Sequence, residues 1–408
     1  MLWYGLLLAG TTWAATAREI PVVAPAEAGM SKAKLSAIDP FMAGQVADQK
    51  IAGGIVMVSH AGKIGFFHAY GLQDREAQKP MTTDTIFRIY SMSKAVTTAA
   101  ALTLYDAGKI GLDDPVSKYI PSFANLMVAA TNGLRPPSRP MTVRDLMLHI
   151  SGLTYGDGPA ALKAAYGRLK PMDSTNLAEM AQKLAQVPLA FDPESDWHYG
   201  VSIDVLGRVI EVASGKSLDE YLSQTIFQPL DMKDTGFSVP PEKLGRFAAN
   251  YTRTNGGLQV IDAPAQSKFA RRVTLFSGGG GLVSTARDYM RFLTMIEGGG
   301  VLDGQRMLRA DTVKLMSSNL LPPAAFPIYF GKEKRYGAGF GLGFAVYTEV
   351  TSWDPAAHAG EFSWDGAAST HYWISQPDQL IVVTLEQIMP YEWDTERGIK
   401  QIIYDAIQ

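Results

Sequence analysis

Cysteine is absent from this 408-residue chain. That excludes a disulfide framework, a thiol nucleophile, thiolate-held metals and a lipoprotein anchor, which needs an acylated cysteine. An excess of charge is lacking too: 37 basic against 40 acidic side chains leave a net −3. Neither nucleic acid nor an anionic membrane surface is therefore expected as a partner. Three catalytic signatures are also missing, the G-x-S-x-G elbow, H-E-x-x-H and G-x-x-x-x-G-K-[ST]. No metal and no cofactor is implied. What remains is ordinary globular composition, 47% hydrophobic and 19% charged, enough for one large domain or two closely packed ones.

Residues 1–17 are short, apolar and uncharged, ending in Ala15-Thr16-Ala17. An A-x-A ending of this kind reads as a secretory signal, leaving a mature chain from about Arg18. The expectation is a periplasmic or secreted protein with no lasting membrane insertion, since no later stretch is long and apolar enough to span a bilayer.

Periodicity outlines the fold. Residues 53–60 read as a buried strand, Ala61-Gly62-Lys63 as a turn, and residues 64–70 as the returning strand of a hairpin. Residues 140–230 are helix-rich, with Thr142 as an N-cap and a second helix from Ser202 ending at Ser214-Gly215. Beyond the glycine run 278–281 comes a helix over 286–296. Strand-like runs follow at 341–347, 369–374 and 380–385, then a final helix over 395–407. The expected class is α/β (α+β): an antiparallel sheet built from N- and C-terminal segments, flanked by helices, with an inserted mostly helical region. The expected divisions are 1–17 signal, 18–85 with 270–408 the sheet region, and 86–269 the helical region, forming one catalytic unit.

Ser91-Met92-Ser93-Lys94 sits where a β-like run (85–90) gives way to a helix over 95–105. Ser91 is then at a helix N-terminus, with Lys94 one turn on along the same face. A serine hydroxyl is a poor nucleophile until a base takes its proton, and an amine one turn away can do so. The helix end adds N–H groups and positive potential for an oxyanion. Ser31-Lys32-Ala33-Lys34 has the same spacing but no strand before it, so Ser91 is the candidate nucleophile. Tyr199, in Trp197-His198-Tyr199-Gly200, precedes the helix at Ser202 and can serve as general base beside a cation. His198 is the alternative base. Trp364-Asp365-Gly366-Ala367 leads toward a strand at His371, where small residues let backbone approach a ligand and a free N–H could complete an oxyanion hole with that of Ser91.

Together these pieces resemble the serine β-lactamase and penicillin-binding superfamily, which uses S-x-x-K, Y-x-[NS], then K-T-G or H-x-G on a strand. The chain is most similar to the class C-like branch and its family VIII carboxylesterases. Residues 144–153 (RDLMLHISGL) and 277–288 (SGGGGLVSTARD) also resemble that group. The resemblance implies a β-lactamase/transpeptidase-like fold, Ser91 as nucleophile, Lys94 and Tyr199 as a coupled base pair, and Ser91 with Ala367 as the oxyanion hole. Trp364, Asp365 and Gly366 would replace K-T-G as substrate-binding residues. His358-Ala359-Gly360 is formally H-x-G and is the alternative third motif.

Val201 stands where β-lactamases carry Asn or Ser, and no K-T-G occurs. Trp364 adds an apolar wall and Asp365 a charge that would repel a carboxylate. The expected substrate is therefore a neutral small-molecule ester with a short acyl or aromatic part, cleaved through an acyl-enzyme. The rivals are a class C-like β-lactamase or D-alanyl-D-alanine peptidase, an amidase or acyltransferase of the same superfamily, and a non-catalytic binding module. Trp364, Trp197 and Tyr155 are expected to line the pocket. The oligomeric state is not legible.

Overall fold

Strands buried on both faces form the centre of the molecule. The computed structural model describes residues 19–330 and 333–408; the segment read as an export signal, 1–17, lies outside the described residues. The central strands are β1 (Gly53–His60), β2 (Lys63–Asp74), β3 (Lys79–Pro80), β4 (Ala338–Phe340), β5 (Ala345–Tyr347), β6 (Glu361–Gly366), β7 (Thr370–Ser375) and β8 (Leu380–Glu386). They pair antiparallel in the order β4-β5-β6-β7-β8-β1-β2-β3. The two ends of the chain meet at the β1–β8 pair, which runs from Gly54 opposite Glu386 to His60 opposite Leu380.

The lack of alternation in these strands follows from what covers them. The helices used below are α1 (Ile38–Ala47), α2 (Ser93–Asp106), α3 (Val143–Leu148), α4 (Ser202–Ser214), α5 (Ala286–Glu297) and α6 (Asp394–Ala406). Successive strand residues point to opposite faces. Val56, Val58, Trp373 and Val382 pack with Ile38 and Met42 of α1 and Ile399 and Ile403 of α6. Ile55, Met57, Ile381 and Val383 face a larger core shared with α2, α4 and α5. Each face has a helical layer, so each residue of β8 is buried.

Local signals set the helix ends. α3 opens with a capping box between Thr142 and Asp145 and ends at His149, whose φ of 57° is left-handed. α4 stops at Gly215, where φ is 71°. α2 is alanine-rich and buried along most of its length, which lets α4 and the glycine run lie close against it.

Several expected elements change shape. The single strand expected over 341–347 is a hairpin, β4 and β5, because the chain bends at Gly341–Phe344, with Gly343 at φ 94°. Of the β-like run 85–90 only Phe87–Arg88 is a strand, paired with Val283–Ser284. The stretch 86–269 carries helices and also two hairpins, Val128–Ala130 with Gly133–Arg135 and Asn250–Thr254 with Gly257–Asp262. Among the described residues no helix is long and apolar enough to cross a membrane.

Candidate active site

Ser91 lies in one tight helical turn, Tyr90–Met92, that runs directly into α2. The preceding Tyr90 has φ 40°, a left-handed conformation that a bulky residue adopts only when its surroundings hold it there. The continuous helix then brings Lys94 Nζ to 3.2 Å from Ser91 Oγ. Lys94 is 1% exposed, and a buried ammonium must be matched by partners. It donates to the Gly279 carbonyl at 2.5 Å and to the Tyr155 hydroxyl at 3.1 Å, and lies 4.5 Å from the centre of the Tyr199 ring.

Gly279 reaches Lys94 because the glycine run is wedged between α2 and α4. A Cβ on Gly278 would come within 2.9 Å of both the Ile203 carbonyl oxygen and Thr97 Cγ2. One on Gly279 would lie 2.3 Å from Asp204 Oδ2. No side chain fits at either position. Asp204, buried on α4, accepts hydrogen bonds from Ser277 Oγ at 2.5 Å and from the Gly279 N–H at 3.1 Å. Thr97 donates to the Gly278 carbonyl at 2.9 Å. Backbone that would otherwise be an open loop is thereby fixed against the lysine.

Trp364, Asp365 and Gly366 sit at the end of β6, and Ala367 in the turn to β7. The triplet therefore closes the strand before the turn rather than leading into the strand after it. A Cβ on Gly366 would lie 2.5 Å from the Ile89 carbonyl oxygen. Only glycine lets this hairpin rest against the chain two residues before the nucleophile. Trp364 Nε1 donates to the Tyr199 hydroxyl at 3.3 Å. Among the described residues no hydrogen bond joins the Tyr199 hydroxyl to Ser91 or Lys94. Its ring packs over the ammonium while its hydroxyl turns toward Trp364.

Asp365 does not present a free charge to the cleft, as the sequence argument assumed. Its Oδ1 is 3.6 Å from Nδ1 of the fully buried His371, which is also 3.4 Å from Glu396 Oε2. Burial opposes charge on both partners. Their close contact nevertheless holds the Asp365 carboxyl below its usual range, and with Glu396 it raises the imidazole. Asp365, His371 and Glu396 bring one potential metal-ligand atom each within 4.8 Å of one another. The cluster supplies its own counter-charges, because Lys400 Nζ lies 3.6 Å from Glu396 and 2.6 Å from Glu361.

Two other ionisable rings flank the lysine. Burial of its hydroxyl end, with Tyr199 and Asp204 nearby, pushes the Tyr155 phenol well above its ordinary value, so it is a neutral partner. Its ring edge still faces the cleft, leaving the residue 39% exposed. Burial, and then the charge of Lys94, hold His149 well below its ordinary value. It packs 4.9 Å from the Tyr199 ring as a neutral imidazole.

Ser91 and Ala367 stand where two lobes of a cleft meet. The larger, about 640 Å³, is bordered by Tyr155, Phe237, Leu275 and Gly280. The smaller, about 440 Å³, is bordered by Tyr199, Phe330, Arg335, Trp364 and Trp393. A group placed at the junction would have the Ser91 hydroxyl beside it and space for a substituent in each lobe.

Other sequence candidates lie elsewhere. Ser31 caps a short helix, accepting from the Lys34 N–H at 3.4 Å. His198 hydrogen-bonds Asp157 and Tyr329. His358 precedes β6, pairs with Asp378 and stacks on Tyr404 at 3.8 Å. Trp197, expected in the pocket wall, is fully buried and packs behind Tyr199. Tyr155 was expected only as wall, and its hydrogen bond to Lys94 had no signal in the sequence. The role of Gly279 was likewise hidden inside a segment noted only for its resemblance.

The arrangement has relatives. The beta-lactamase family profile matches residues 37–404. Esterase EstB from Burkholderia gladioli is 30% identical over 390 residues, 88% of this chain and 92% of that one. A monacolin J acid methylbutanoyltransferase from Aspergillus terreus is 27% identical, over 89% of this chain and 92% of its own. The solved structure of EstCE1, described as a hydrolase with promiscuous acyltransferase activity, superposes with a TM-score of 0.78 at 27% identity, covering 91% of this chain and 99% of that one. By sequence and by fold, the chain belongs to the beta-lactamase family.

Proposed function

We propose that the protein is a serine carboxylesterase that works through an acyl-enzyme on Ser91. The observation that carries this reading is Lys94 Nζ 3.2 Å from Ser91 Oγ, at the junction of two largely apolar lobes. In acylation Ser91 Oγ attacks the ester carbonyl carbon, and its proton passes to the coupled Lys94–Tyr199 unit, which enters the step as a free amine beside a phenol or an ammonium beside a phenolate. The N–H groups of Ser91 and Ala367 receive the oxyanion. Collapse breaks the bond to the alcohol oxygen, which leaves with the proton. Water then repeats the sequence, releasing the acid and free serine. Tyr155 and the Gly279 carbonyl hold the ammonium in place.

A small-molecule ester with an apolar acyl or alcohol part fits the aromatic wall of Trp364, Phe330 and Trp393. A lysine at the K-T-G position is absent, which disfavours β-lactams. Acyl transfer to an alcohol is the second reading, favoured by the activities named for EstCE1 and the Aspergillus enzyme. The test is hydrolysis of p-nitrophenyl acetate, butyrate and octanoate beside nitrocefin, by wild type and Ser91→Ala. Ester turnover that depends on Ser91 and far exceeds nitrocefin turnover is expected; the reverse ratio would overturn the reading. Export belongs to the same proposal, supported by the A-x-A ending at Ala17. N-terminal sequencing of protein from the periplasm or medium should begin near Arg18.

A further inference from the structure

Arg271 and Arg272 are exposed on the border of the larger lobe, with Lys268 beside them. Among the described residues neither arginine side chain has a hydrogen-bond or ion-pair partner. More buried arginines are matched: Arg88 pairs with Asp262, Arg139 with Asp145 and Arg246 with Asp234. The one acidic side chain bordering the same lobe is the exposed Asp173, so the lobe keeps an excess of positive charge. Phe237 and Leu275 supply apolar surface to the lobe that these cations and Ser91 also border.

The smaller lobe differs. Its Arg335 lies 4.2 Å from the Phe330 ring and 4.4 Å from that of Trp393, and 3.8 Å from Glu333. That cation is already engaged; in the larger lobe Lys268 lies 5.3 Å from the Phe269 ring, while the Arg271 and Arg272 side chains make no such contact among the described residues.

We propose that the larger lobe selects substrates carrying an anionic group, a carboxylate or a phosphate, at the end of an apolar stem. The stem lies over Phe237 and Leu275, and the anion meets Arg271, Arg272 and Lys268 at the rim. This rests on the reading of Ser91 as the acylated nucleophile. Guanidinium groups suit both anions through paired N–H donors. A low-dielectric cleft lined by one sign of charge also concentrates the opposite sign. The missing K-T-G removes one anion site, and this segment would supply another at the rim of the larger lobe.

The test uses the full chain and two matched substrate pairs. The carboxylate pair is mono-p-nitrophenyl glutarate against p-nitrophenyl butyrate. The phosphate pair is butyryl-coenzyme A against butyryl-N-acetylcysteamine, which lacks the phosphates. The readout is the charged-to-neutral ratio of kcat/KM. The double variant Arg271→Ala/Arg272→Ala should lower that ratio at least about tenfold in one pair, the combined effect of two rim cations. Arg168→Ala, which removes one exposed charge away from the cleft, should not lower it. Independently of any variant, the wild-type ratio should fall as salt rises from about 20 mM to about 500 mM, because exposed pairs are screened. A fall in the glutarate pair alone identifies a carboxylate, and a fall in the thioester pair alone a phosphate. Unchanged ratios in both pairs, with Ser91-dependent turnover of the neutral substrates intact, would overturn the anion site and leave the esterase reading standing. Loss of Ser91-dependent turnover on all four substrates would overturn the esterase reading itself.

Discussion

The ammonium of Lys94 is held at 2.5 Å by the backbone carbonyl of Gly279, a residue 185 positions away in sequence. Asp204 in turn holds Gly279, so α4 sets where the lysine points. Gly279→Ala would place a methyl 2.3 Å from Asp204 Oδ2 and push the carbonyl off the lysine. The expected result is a fall in kcat of at least about tenfold, larger than any change in KM, since misplaced catalytic groups cost rate steeply. Steady-state kinetics beside a melting curve separate this from simple unfolding.

Two serines share the S-x-x-K spacing and only one borders the cleft. Ser91→Ala should abolish ester turnover. Ser31→Ala should leave it at the wild-type level and lower stability by about 0.5 kcal/mol, the small end of an N-cap loss, given its long 3.4 Å bond. Equal losses of activity in the two would mean that the nucleophile is wrongly placed.

The three groups around the ammonium should separate by magnitude. Lys94→Ala and Tyr199→Phe are each expected to cost at least about a hundredfold in kcat, the scale of a general base. Tyr155→Phe removes one hydrogen-bond acceptor from Lys94 and should cost about tenfold or less. Should Tyr155→Phe prove the more damaging tyrosine change, the proton route runs through Tyr155 instead.

The pair behind the oxyanion turn gives a pH dependence of known sign. The folded state raises the His371 imidazole, through Asp365 and Glu396, despite burial. Its stabilising share is complete below about pH 6.5 and is lost as pH rises through the higher folded value, at a slope up to about 1.4 kcal/mol per pH unit. Asp365 is held low, so its share is lost only as acid titrates it. The difference in unfolding free energy between wild type and His371→Asn should therefore shrink as pH is raised above neutrality. A difference that stays flat from pH 6 to pH 9 would show that His371 does not bind its proton in this range.

Where local physics decides, the sequence was readable. Thr142 and Asp145 make the capping box they promised, Gly215 ends α4, and residues 53–60 form β1 with those bounds. The spacing of Ser91 and Lys94 within one turn of helix carried the core of the site. Longer-range packing was not readable. Gly341–Phe344 looked like strand because Leu342 and Phe344 are apolar, yet both are buried at a bend. Trp197 and Tyr155 were equally plausible as wall, and only the tertiary arrangement puts one behind Tyr199 and the other on the lysine. The compensation of Asp365 depends on its register partner His371 across the β6–β7 pair, which no linear motif displays.

The seam between β1 and β8 has a consequence for how the molecule is made. β1 leaves the ribosome early, but its neighbour on that side is finished only at Glu386, more than three hundred residues later. Until then a strand of buried residues has one edge unpaired, the kind of edge that invites stray pairing. The turn bearing Ala367, the proposed second oxyanion donor, is late as well. Closing so long a loop is slow. The nascent chain is therefore dependent on protection of β1 until its final strand arrives.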